Sequence, residues 1–122
     1  MSGAMADNLT ILVVDDDREL TAKLSNQLTI QGYQVISAHS GEQAIAHLKV
    51  TDIDFLISNI HLPGMISGAE LCQYIQSFIK PPPRTVLMSG YPEELDFTLA
   101  QYPQFGKLNK PFQVDDLLEL IN

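Results

Sequence analysis

A chain of 122 residues with 45% hydrophobic side chains has the apolar material for one core of ordinary size and no more than one domain. Its formal charge of -8, from 15 acidic against 7 basic residues, would repel the phosphate backbone, so nucleic-acid binding by this domain is not expected. One cysteine, Cys72, leaves no internal disulfide, and no apolar run reaches the about 18 residues needed to span a bilayer, so a soluble, reducing, cytoplasmic setting is expected.

Met1-Ser2-Gly3-Ala4 before Met5 lacks the basic and apolar regions of a signal peptide. Residues 1–7 are set aside as a tag remnant and disordered start, which leaves 8–122 as the domain. Strands are predicted at 9–14, 34–38, 54–59, 85–89 and 105–109, where short β-branched apolar runs alternate with stretches of helical period. The first helix carries Leu20, Leu24 and Leu28 and stops at Gly32, a natural residue for the left-handed position after a helix. The second starts at Ser40, whose hydroxyl caps while Gln43 reaches back, and it buries Ala44, Ile45 and Leu48. Leu71, Ile75 and Phe78 form the core stripe of the third, which Pro81-Pro82-Pro83 cannot continue. A fourth, roughly 93–100, places Leu95 and Leu99 on one face and Phe97 elsewhere; a fifth follows Pro111 with Val114, Leu117, Leu118 and Ile121. Repeated βα units of this kind predict a parallel five-stranded sheet covered on both faces.

In an open parallel sheet, ligands bind in the crevice outside the carboxyl ends of the strands. The predicted strands deliver Asp15 and Asp16, Asn59, Ser89 and Lys110 to such ends. Paired carboxylates with no histidine and thiol set beside them suit a hard divalent cation such as magnesium, while a lysine and a hydroxyl suit phosphoryl oxygens. Taken singly, Asp16 or Asp17 would serve as a helix cap and Ser89 or Lys110 as a loop residue; their conjunction, each at its own strand end, is the functional signal.

These segments resemble the receiver domain of two-component response regulators across 8–122. The likeness rests on Ile11-Leu12-Val13-Val14-Asp15-Asp16, Asn59-Ile60-His61-Leu62-Pro63-Gly64, Met88-Ser89-Gly90-Tyr91 and Lys110-Pro111-Phe112, in family order and spacing. It implies a flavodoxin-like (βα)5 α/β fold, doubly wound, with strand order 2-1-3-4-5. It also implies that Asp15, Asp16, the residue at 59 and the backbone carbonyl of His61 hold magnesium. Ser89 would take the switch hydroxyl's role, Lys110 the phosphoryl-sensing role, and the Lys110-Pro111 bond would be cis. The implied partners are a sensor histidine kinase or phosphotransfer protein and an output domain or partner protein, with homodimerisation a family habit and no enzymatic turnover.

Three features depart from the family pattern. Asn59 stands where an aspartate would accept the phosphoryl group, and a neutral amide is a poor nucleophile, so this chain is not expected to be a phosphoacceptor and its magnesium site is weakened. Lys107 stands where the family usually has an aromatic switch residue, and the loop Pro63 to Gly68 is one residue longer than the common form. Asn59 has two readings, a natural pseudo-receiver acting as a phosphorylation-independent interaction module or a laboratory Asp→Asn substitution.

A haloacid-dehalogenase-like phosphatase using Asp15 and Asp17 is the enzymatic rival, though Glu19 stands where that family has threonine or valine. A flavodoxin would need a hydroxyl- and glycine-rich phosphate loop after the first strand, where three aspartates stand. His39, His47 and His61 lack metal-gathering spacing and are read as solvated or capping groups. Cys72 is a small packing residue, and Lys80 to Arg84 a stiff loop into a strand. Tyr91 and Phe97 are the candidate partner surface.

Overall fold

The computed structural model describes residues 9–122, so the proposed remnant at 1–7 lies outside the described residues. Ile11 to Val14 are fully buried because alternate side chains enter two different cores. Ile11 and Val13 join one cluster, with Leu24, Leu28, Leu117 and Ile121, while Leu12 and Val14 join the other, with Ala44, Leu48, Leu71 and Ile75. Burial on both faces is what a continuous apolar run means in a parallel strand.

The strands are β1 (Thr10–Val14), β2 (Gln34–Ala38), β3 (Phe55–Asn59), β4 (Arg84–Ser89) and β5 (Gly106–Asn109), all parallel in the order β2-β1-β3-β4-β5. The helices are α1 (Arg18–Ile30), α2 (Gly41–Val50), α3 (Gly68–Phe78), α4 (Pro92–Gln101) and α5 (Val114–Ile121). This is the flavodoxin-like fold expected, and the chain order brings the ends of β1, β3, β4 and β5 to one rim.

Local signals place the ends. The Asp17 carboxylate accepts from the Leu20 N–H at 3.1 Å and starts α1. Its far end closes with Tyr33 N–H on Leu28 O and Gly32 N–H on Thr29 O, Gly32 taking φ 102°. Ser40 caps α2, but Gln43 reaches one residue further back than expected: its Oε1 accepts from the His39 N–H at 2.9 Å. A reciprocal Ser67–Glu70 capping box starts α3.

Phe78 corrects the core expectation for α3. It is 70% exposed and tilts against Tyr74 with ring centres 5.2 Å apart, while Cys72 is buried between Leu71 and Ile75 on the inner face. Phe78 is the last helical residue, and beyond it the backbone turns extended toward Pro81, where the sheet offers it no cover. The Lys110-Pro111 bond is cis as expected, and so is Lys80-Pro81. Among the described residues no helix is long and apolar enough to cross a membrane.

Candidate functional site

β1 ends into Asp15, which is 1% exposed. Its Oδ2 accepts from Lys110 Nζ at 2.7 Å and its Oδ1 from the Asp17 N–H at 3.0 Å. The buried carboxylate is thus compensated by an ammonium from the far edge of the sheet and by the backbone that opens α1. His39 Nδ1 lies 3.0 Å from the Asp15 carbonyl, so this ring holds the β1 end. Asp16 is exposed, and Asp17 is the α1 cap.

At the end of β3, Asn59 donates from Nδ2 to the backbone carbonyl of His61 at 2.7 Å. A carbonyl oxygen only accepts, so the nitrogen of the amide must be the end that faces it. The following loop is clamped close to the sheet. A side chain at Gly68 would place its Cβ 2.6 Å from the carbonyl oxygens of Asn59 and Ile60, so only glycine lets α3 start this near the strand. Gly64 takes φ 86°, and the Glu42 carboxylate accepts from the Met65 N–H at 3.0 Å, which holds that carboxyl below the usual glutamate range.

At the end of β4, Ser89 Oγ accepts from the Tyr91 N–H at 3.0 Å and makes a long 3.4 Å bond to Glu94 Oε1. Glu94 Oε2 lies 2.6 Å from His61 Nε2, and the Tyr91 ring meets the His61 ring edge-on with centroids 6.4 Å apart. The Lys110 N–H donates to Ser89 O at 2.8 Å, fixing the end of β5 against that of β4. Asn59, His61, Ser89, Gly90, Tyr91 and Lys110 line one open cleft of about 450 Å³.

The fold therefore unites most of the residues singled out from the sequence, with Asp15 anchoring Lys110 at its floor. Asp16, Lys107 and Phe97 stand apart from the cleft lining. Lys107 points outward and pairs with Asp96 at 3.3 Å, and Phe97 is 71% exposed on α4. Tyr91, 67% exposed, sits at the cleft rim. The His61 ring, read from the sequence as a solvated or capping group, is exposed but pairs with Glu94, a pairing with no sequence signal because it depends on β3 and β4 being neighbours.

The donors that would take magnesium are mostly engaged in this structure: the His61 carbonyl accepts from the Asn59 amide and each Asp15 oxygen accepts one hydrogen bond, while Asp16 is exposed. Among the described residues no group of three or more His, Cys, Asp or Glu side chains converges on a metal position.

The strand order, with an acid, a hydroxyl and a lysine at the strand carboxyl ends, is the arrangement that the receiver likeness implies. The family model described as "Response regulator receiver domain" matches residues 11–122, and the chain belongs to that family, the receivers of two-component systems. It is 34% identical over 112 residues to the transcriptional regulatory protein CpxR of Escherichia coli (strain K12), covering 91% of this chain and 47% of that protein. The chain thus spans about half the length of the curated relatives it matches, the CpxR proteins. A CheY-like receiver domain protein from Methanospirillum hungatei JF-1 superposes with TM-score 0.84 at 25% identity, covering 93% of this chain and 90% of that one. The response regulator TrrA from Thermotoga maritima, in complex with Mg(2+)-BeF, superposes with TM-score 0.78 at 28% identity, covering 91% and 94%. Receivers are signalling modules that work with histidine kinases or phosphotransfer proteins and with output domains, and as a class they bind magnesium.

Proposed function

We propose that this domain, residues 8–122, is a receiver that does not accept a phosphoryl group at position 59 and is read by a partner protein through its surface, without enzymatic turnover. One observation carries the reading: the group at the end of β3 is an amide whose N–H satisfies the His61 carbonyl. An acyl phosphate needs a carboxylate oxygen to attack phosphorus, and an amide offers neither that nucleophile nor the negative charge that draws a metal. Magnesium binding is accordingly weak in this chain. Lys107, tied to Asp96 on the outside, supports natural divergence, since it removes the inward-moving aromatic as well.

Asp15, Asp16, Ser89 and Lys110 keep their family positions, so the cognate kinase or phosphotransfer protein remains the natural docking partner in the cytoplasm. An output domain, a separate effector or a second copy of the chain would read the α4 side, where Tyr91 and Phe97 are exposed. Incubating the protein and its Asn59→Asp variant with acetyl phosphate and magnesium, followed by intact-mass measurement, tests the reading. The Asn59 protein gains nothing, and a phosphoryl gain on it overturns the proposal. Gain by the variant alone makes the amide the sole block, whereas gain by neither marks a degenerate site.

A further inference from the structure

Helix α4 packs on the sheet through a narrow face. It has 10 residues, buries Leu95 and Thr98, adds the partly buried Leu99, and its N-cap residue Tyr91 makes no side-chain capping bond. A short helix with so small a buried face depends on whatever fixes its first turn. Glu94, in that turn, supplies two such links from one carboxylate: Oε2 to the His61 ring at 2.6 Å and Oε1 to the Ser89 hydroxyl at 3.4 Å.

Those partners belong to neighbouring strands. β3 and β4 run side by side with Asn59 opposite Met88, so the loop after β3 and the last residue of β4 emerge next to each other. His61 faces both ways. Its backbone carbonyl receives the Asn59 amide at 2.7 Å, and its ring holds Glu94. The His61 and Glu94 side chains are 66% and 32% exposed, so as an ion pair they contribute little to stability. Their effect is positional, since the path from Asn59 through His61 to α4 has no gap in it.

We infer that Glu94 is a positioning residue that, by way of His61, ties the group at position 59 to the first turn of α4. A change at 59 then reaches the helix bearing the exposed Tyr91 and Phe97 without passing through Lys107. This coupling belongs to the resting molecule and stands apart from whether position 59 can be phosphorylated.

The test follows two NMR readouts in one sample, the side-chain amide signals of Asn59 and the hydrogen exchange of backbone amides in α4. Glu94→Ala and His61→Ala are each expected to shift the Asn59 signals and to speed α4 exchange about threefold, in keeping with an exposed pair. The double variant should exceed neither single one by more than about twofold, because both break the same path. Glu94→Gln, which keeps an oxygen acceptor, should restore most of the protection, and Glu93→Ala, the neighbouring exposed acid, should leave both readouts unchanged. Unmoved Asn59 signals, additive effects in the double variant, or equal effects from Glu93→Ala would each overturn the inference.

Discussion

Asn59 and His61 are joined by a 2.7 Å bond from side-chain amide to backbone carbonyl, and that bond fills a position where a carboxylate and a carbonyl would face each other as two acceptors. Two acceptors need a cation between them, and the amide hydrogen removes the need.

Replacing Asn59 by aspartate restores the conflict. The new carboxylate loses the His61 bond and joins Asp15 and Asp16 with Lys110 as the ammonium of the cleft. Like charges ~4 Å apart at an effective dielectric of ~20 repel by up to about 4 kcal/mol before screening. Asn59→Asp should therefore unfold at a lower temperature than the Asn59 protein in chelator and gain more on adding magnesium. Equal midpoints and equal magnesium responses in thermal unfolding would sink this account.

Lys110→Ala strands the Asp15 carboxylate, which is 1% exposed, with only the Asp17 N–H as partner. Breaking one side of a buried pair costs about 3 kcal/mol or more, and the 25% exposure of Lys110 places this case at the low end. Urea unfolding measures it; a loss under about 1 kcal/mol would mean that the pair behaves as a surface one.

Cys72 is 1% exposed, and burial pushes its thiol up to about 12. The folded protein should resist a disulfide reagent at pH 8, and reaction should keep pace with unfolding as denaturant is added. The sign of the pH effect follows from the raised value. Below the thiol's ordinary value of 9.0 both states are neutral; between there and about 12 only the unfolded chain ionises, so stability falls as pH rises through that window. Cys72→Ala should remove that part of the alkaline loss, and an identical alkaline profile for the variant would contradict the assignment.

Glu42 titrates in the opposite sense. The Met65 N–H, and then its own, hold its carboxyl below the ordinary 4.5, so its contribution is present above that value and is lost as pH falls through the lower folded one. Glu42→Gln keeps an oxygen for Met65 but not the charge. Any advantage of the parent protein over this variant at neutral pH should shrink in acid, read from unfolding midpoints across the range; a constant difference would exclude this role.

The features legible in the sequence were those set by neighbours along the chain. Gly32 marked the end of α1 and Ser40 the start of α2, since capping needs only a few adjacent residues. The strands showed as apolar runs, and Asn59, Ser89 and Lys110 stood out as polar residues where such runs end. Phe78 misled because helical spacing says which face a residue occupies, not whether anything lies opposite that face. His61–Glu94 and Lys110–Asp15, 33 and 95 residues apart, follow from strand order, which the family likeness supplied and periodicity alone did not.

The Asp15–Lys110 pair closes 95 residues of chain and crosses above two intervening strands. Loop closure of that length is unfavourable until the sheet between them is in place. The cleft is therefore expected to assemble late in folding, and a chain interrupted before β5 would lack Lys110. A partner that recognises this rim selects finished molecules, which makes the clasp a record of completed folding even where no phosphoryl group ever arrives.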